Sequence, residues 1–76
     1  MKDLVYNITK KLVDHPNEVK VEEEIVDGQA TIEVSVAESD IGQVIGKHGK
    51  IANSIRTIAK AAGTKQNLKV FVVIAD

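Results

Sequence analysis

The chain contains no cysteine, which excludes disulfides, thiolate metal sites and cysteine nucleophiles together. Aromatic residues are almost missing too, with Tyr6 and Phe71 making up the whole set. A base-stacking platform of aromatic rings therefore has nothing to be built from. Proline occurs once, at Pro16. No apolar run approaches the roughly 18 residues of a membrane span, and no signal-peptide pattern precedes the first helical segment. The sequence thus reads as a soluble cytoplasmic protein with no membrane partner. Its 76 residues fit one small domain spanning 1–76, with 43% hydrophobic residues available for a core. A domain of this size hides only about 60% of the surface its unfolded chain exposes, so that core must be compact.

The last absence is local. From Ile41 to Ala75 there is no acidic side chain. The overall net charge of −1 conceals this. Residues 1–40 carry four lysines against ten acids, a net of −6. Residues 41–76 carry Lys47, Lys50, Arg56, Lys60, Lys65 and Lys69 against Asp76 alone, a net of +5. Such asymmetry points to a basic interaction surface, unless the two halves merely balance within one domain.

Hydropathy patterning gives the elements. Leu4, Val5, Ile8 and Leu12 follow helical spacing, with Lys10 and Lys11 in the last turn, and Pro16 predicts an end near Asp14. Glu18–Val26 alternates through Val19, Val21 and Ile25, with Glu23 interrupting the apolar face. Asp27-Gly28 is a type I′ hairpin signal, and Gln29–Val36 alternates cleanly through Ala30, Ile32, Val34 and Val36. Ser39 or Asp40 can cap a short helix, with Gln43 in capping-box position, running to about Ile45 before Gly46. A longer helix starts near Lys50. Ile51, Ile55, Ile58 and Ala62 form its predicted stripe, widened by Ala52 and Ala59, and Gly63 is placed at its C′ position. After a loop at Thr64–Asn67, Leu68–Ala75 is a β-branched run that reads as a strand. The order α-β-β-α-α-β predicts an α+β fold. The last two strands are parallel, joined by a right-handed two-helix crossover, and the helices cover one face of a three-stranded mixed sheet.

The stretch Ile41-Gly42-Gln43-Val44-Ile45-Gly46-Lys47-His48-Gly49-Lys50-Ile51-Ala52 carries the most chemistry. Two glycines three apart permit a tight turn and the close approach of another backbone. The helix beginning after Gly49 directs its N-terminal amides at that turn, which favours an anion. Lys47, His48 and Lys50 add positive charge or donors, while Val44, Ile45 and Ile51 flank the turn with apolar surface. Glycine spacing alone is weak evidence, since an ordinary helix–helix turn also uses it. Its placement between two amphipathic helices, among basic residues, favours a phosphate backbone held at the turn with bases along an apolar groove.

Val44-Ile45-Gly46-Lys47-His48-Gly49 resembles the V-I-G-x-x-G signature of KH domains, and α-β-β-α-α-β is the element order of the type II, bacterial KH fold. The resemblance covers essentially the whole chain. Asp40-Ile41-Gly42 and the continuation Gly49-Lys50-Ile51-Ala52-Asn53-Ser54-Ile55-Arg56 are similar to small stand-alone bacterial KH proteins. Many KH domains place a branched aliphatic residue three positions after the second glycine, where this chain has Ala52, with Ile51 one place earlier. The resemblance implies a non-catalytic protein that needs no cofactor and holds about four nucleotides of single-stranded RNA. Gly46 and Gly49 would make room for the sugar-phosphate backbone, and Lys47 and His48 would meet phosphates. Ile41, Val44, Ile45 and Ile51 would line the groove, with Val70 to Val72 as its far wall. Lys50, Arg56 and Lys60 would add charge, Lys50 and Arg56 from different flanks of the helix. The resemblance further implies a homodimer, a larger KH-containing partner, or both, in an RNA chaperone or regulator role.

Other readings find less support. Gly42-x-x-x-Gly46-Lys47 is one residue short of a Walker loop and has His48 where a Ser or Thr must reach magnesium. His15 and His48 lack second-ligand spacing for zinc, and His15 reads as an exposed loop residue. Strand alternation sends Glu23 away from Glu22 and Glu24, against a metal cluster. No serine has a nearby base and carboxylate to form a triad. The main rival is an interaction module with weak or vestigial RNA binding. The last strand is apolar on both faces, Leu68, Val70, Val72 and Ile74 on one and Phe71 and Val73 on the other. One face meets the helices, which leaves the second for a partner, unless the first helix or the hairpin covers it.

Overall fold

A computed structural model describes residues 1–75, with the side chain of Lys47 outside the described set. The first helix, α1 (Lys2–Leu12), is followed by a single 3₁₀ turn at Pro16–Glu18. Strands β1 (Lys20–Val26) and β2 (Gln29–Ser35) come next, then a long helical run, α2 (Glu38–Lys65), and β3 (Lys69–Ala75). Left-handed backbone at His48 (φ +65°) and Gly49 (φ +67°) cannot continue a right-handed helix. The run therefore breaks there into a first arm, 38–47, and a second arm, 50–65. Counted by arms, the order among the described residues is α-β-β-α-α-β, the arrangement of a type II KH fold.

The hairpin forms as the dipeptide Asp27-Gly28 requires: both residues take positive φ, +51° and +76°. It pairs β1 and β2 antiparallel, from Lys20 opposite Ser35 to Val26 opposite Gln29. The α2 crossover returns β3 parallel to β2, Gln29 opposite Lys69 through Ser35 opposite Ala75. The sheet order is β1-β2-β3.

Period-two alternation then decides the two faces. Val21, Ala30, Ile32, Val34, Val70 and Val72 point to the helical side and are buried with Val5, Val44, Ala52, Ile55 and Ala59. Burying each such aliphatic side chain contributes on the order of 1.5–3 kcal/mol. The opposite face is open. It presents Glu22, Glu24, Thr31 and Glu33, with Phe71 and Val73 each 47% exposed, so neither α1 nor the hairpin covers them. Glu23 sits on the core side, opposite Ile32, and its Oε2 lies 3.9 Å from the amine of Met1.

Four local expectations need correction. Helix α1 ends at Leu12, because Val13 turns extended (φ −113°, ψ 160°) and buries its side chain. Neither Ser39 nor Asp40 caps α2. Its N-cap is Ala37, whose carbonyl accepts the Asp40 amide at 2.8 Å, so Asp40 lies inside the first turn with its carboxylate committed elsewhere. The buried stripe of the second arm is Ala52, Ile55, Ala59 and Gly63, while Ile58 remains exposed. Small residues win because they let the helix approach the sheet closely.

Gly63 is correspondingly interior rather than C′. Helix α2 continues to Lys65 and closes in a Schellman motif. There the Leu68 amide donates to the Gly63 carbonyl (2.8 Å) and the Asn67 amide to the Thr64 carbonyl (3.2 Å). Asn67, at φ +58°, is the left-handed C′ residue.

Candidate nucleic-acid interface

The first arm delivers the loop. Asp40 and Val44, one helical turn apart, face the interior and are essentially inaccessible, while Ile41 is partly covered and Ile45 is 47% exposed. Val44, expected to line a groove, therefore belongs to the core and supports the surface from beneath. Val70 and Val72 of β3 are likewise buried on the helical side. The accessible apolar surface beside the loop reduces to Ile45, with Ile41 and Ile51 partly exposed.

Between the arms, the two glycines play different parts. Gly49 is demanded by its own backbone, at φ +67°. Gly46 is not: its φ is unexceptional, and a Cβ built there would meet no atom within 4 Å. The first arm continues through Gly46, so the interruption expected there falls two residues later, where His48 and Gly49 turn left-handed. Glycine in a helical stretch costs roughly 0.5–1 kcal/mol relative to alanine. Folding gains nothing visible in return at Gly46. What its missing side chain provides is open space at the surface.

His48 and Lys50 are exposed, and Arg56 is half-buried. The expected contacts of the Lys47 side chain lie outside the described residues. The second arm starts at Lys50, so the positive end of its dipole is directed at the loop. Lys50 and Arg56 leave the helix on different flanks, as their six-residue separation dictates. Among the described residues the two ion pairs are Met1–Glu23 and His15–Asp40, so Lys50, Arg56 and Lys60 are not neutralised by carboxylates. A depression of about 660 Å³ runs from the loop along the second arm, lined by His48, Lys50, Asn53, Ser54, Thr57 and Ile58. A separate one, about 580 Å³, is lined by Val36, Glu38, Ile41 and Gly42. The structure thus brings Gly46, His48, Gly49 and Lys50 together and sets Ile41 on a different concavity.

Two participants escaped the sequence reading. Asn53 reaches back to the loop, its Nδ2 donating to the His48 carbonyl at 3.5 Å, while Arg56 donates to Asn53 Oδ1 at 3.2 Å. The spacing of Asn53 and Arg56, three residues apart on a helix after a glycine, was the available signal. The second is Asp40. Its carboxylate accepts the His15 amide (3.0 Å), the Asp14 amide (3.4 Å) and a contact with His15 Nδ1 (3.3 Å). Burial alone would raise its pKa and is the largest influence. The backbone and side-chain hydrogen bonds of His15, the Asp14 amide and the His15 charge together outweigh it, and the carboxyl is held below its ordinary value.

His15 is the exposed loop residue expected, although its backbone amide and ring both engage Asp40, and a serine stands beside the pair without completing a triad. Ser39 Oγ and Asp40 Oδ2 both approach the same ring nitrogen, His15 Nδ1, each at 3.3 Å. A triad needs the hydroxyl and the carboxylate on opposite nitrogens. Ser39-His15-Asp40 is therefore a structural latch, joining the end of α1 to the arm that carries the loop.

A three-stranded mixed sheet with helices on one face, and a G-x-x-G turn breaking a helix near Lys50, Arg56 and Lys60, unpaired among the described residues, defines a type II KH domain. The family model described as "KhpA/KhpB, KH domain" matches residues 2–74. The chain is 49% identical over 74 residues to the RNA-binding protein KhpA of Clostridium perfringens, covering 97% of this chain and 99% of that protein. It is 47% identical over 74 residues to KhpA of Caldanaerobacter subterraneus, with the same coverage, and 42% identical to KhpA of Listeria monocytogenes over the full length of both. No solved structure matches. This chain belongs to the KhpA/KhpB KH-domain family.

Proposed function

We propose that the chain is a single, non-catalytic KH domain that binds single-stranded RNA in the cytoplasm. About four nucleotides lie at the Gly46-Lys47-His48-Gly49 loop. The observation that carries this reading is Gly46: a glycine the fold does not need, at the lip of a loop beside Lys50 and Arg56, which have no carboxylate partner among the described residues. A sugar-phosphate backbone is the ligand that uses both features, close approach and positive charge. The relatives named RNA-binding proteins support the same conclusion. Lys47, His48 and Lys50 meet phosphates, Arg56 adds positive potential, and Ile45, Ile41 and Ile51 give the bases apolar contact.

Replacing Lys47 and His48 together by Asp tests the site. Affinity for short single-stranded RNA should disappear while the thermal unfolding curve is preserved, and undiminished binding refutes the mechanism. For three or four phosphate contacts the log–log salt slope should lie near roughly −2 to −3. One groove on so small a domain binds modestly. A homodimer, or assembly with a larger KH-containing protein in an RNA chaperone or regulator role, would raise affinity through effective concentration. The exposed Phe71 and Val73 on the open sheet face favour such an association. Sedimentation that shows only monomer up to high micromolar concentration removes the homodimer.

A further inference from the structure

His48 is the unusual residue of the loop. It holds φ +65° without being glycine, a conformation that disfavours any residue with a Cβ. Something beyond local preference must hold it. The side chain placed to do so is Asn53, whose Nδ2 points at the His48 carbonyl (3.5 Å) and lies 3.8 Å from where a Cβ on Gly49 would stand. An amide can face either way, and donating to a carbonyl requires its nitrogen to be on the loop side. Arg56 selects that orientation. A guanidinium only donates, so its bond to Asn53 Oδ1 (3.2 Å) turns the NH₂ group toward His48. The acid-free sequence around Arg56 supplies no carboxylate to draw it away, and among the described residues it forms no ion pair.

We infer that Asn53 and Arg56 form a brace that holds the loop in its left-handed conformation, Arg56 acting through Asn53 as a positioning residue rather than on RNA directly. The inference rests on the RNA-binding reading of the loop and reassigns one of its residues. Its logic is one of preorganisation. A loop already in its binding conformation does not lose ordering free energy when the ligand arrives.

The test has one arm in the free protein and one with RNA. In the free protein, the three-bond coupling between His48 Hα and the preceding carbonyl carbon, large at left-handed φ and small at negative φ, should be large in the wild type when measured by NMR. It should shift toward an averaged value in Asn53→Ala and Arg56→Ala; an unchanged coupling in both overturns the brace. With a fluorescein-labelled ten-nucleotide single-stranded RNA of mixed sequence, each substitution should weaken binding about three- to tenfold, the weight of one net hydrogen bond. The double variant should be no worse than either single one. The salt slope should not change, whereas loss of a direct phosphate contact lowers its magnitude by about 0.7. In a His48→Gly background, where the left-handed φ needs no support, Asn53→Ala should have no further effect. Equal losses in both backgrounds, or a smaller salt slope for Arg56→Ala, overturn the inference. Failure of the wild type to bind any RNA defeats the RNA reading instead, and the coupling still judges the brace.

Discussion

Gly63→Ala adds one methyl group to the last turn of α2 and should destabilise the protein, although helix propensity alone favours the change. In an exposed helix interior, Ala is better than Gly by up to about 1 kcal/mol. The backbone raises no objection here, because Gly63 is not among the residues with positive φ. Packing decides the sign. A Cβ at this position would collide with Cγ2 of Val70 and stand 3.1 Å from the Leu68 carbonyl oxygen. Neither neighbour yields easily. Val70 is buried on β3 and its β-branched side chain has few rotamers, while hydrogen bonds from the Leu68 amide to Gly63 and the Lys69 amide to Gly28 hold the turn. The helix must therefore lift away from the strand. Overpacking costs about 1–3 kcal/mol, and a direct collision with a constrained side chain belongs to the upper part of that range, about 2–3, which leaves a net loss of about 1–2 kcal/mol after the propensity gain. For a domain of this size that corresponds to a fall in Tm of roughly 4–16 °C. Urea and thermal unfolding monitored by circular dichroism would measure it. Val70→Ala clears the space, so the double variant should be less destabilised than the sum of the single ones by at least about 1 kcal/mol. A Gly63→Ala protein as stable as the wild type, or additive losses in the double variant, would refute the packing account.

Two further outcomes follow from individual side chains. Gly49→Ala meets no steric obstacle beyond its own φ of +67°, so it should cost about 1–2 kcal/mol of stability and tighten no packing defect elsewhere; a neutral result by urea denaturation contradicts the assigned conformation. For Asp40, the folded state lowers the carboxyl pKa below its ordinary 3.8, so the unfolded chain takes up the proton first as pH falls. Its contribution is complete above that ordinary value and drains away as pH drops through it toward the lower folded-state value. Asp40→Asn should therefore be less stable than the wild type at neutral pH, with the two stability curves converging toward pH 2. Parallel curves across that range would show that the latch carries no net charge dependence.

Much of this fold is written in local pattern. The alternation of Gln29–Ser35, the Asp27-Gly28 turn and the parallel return of β3 follow from side-chain period, from a dipeptide that tolerates positive φ, and from the length of the crossover. The G-K-H-G loop and the acid-free stretch around it were equally visible, because glycine content and charge are properties of sequence. The flank of an element that faces inward was less legible. Periodicity placed Ile58 on the buried stripe, yet the helix approaches the sheet through Ala52, Ala59 and Gly63, and Ile58 stays at the surface.

What the sequence by itself determined, then, is the order of elements, the hairpin and the position of the loop, each set by residues within a few places of one another. Only the tertiary structure decided that Val44 is core rather than groove, that Gly63 exists to admit Val70, and that Asp40 reaches 25 residues back to His15. It also decided that Asn53 turns toward His48 under the hand of Arg56. The physical reason is common to all of them. Burial, close contact and hydrogen-bond partnership depend on where separate segments come to rest against each other, and no local periodicity carries that information.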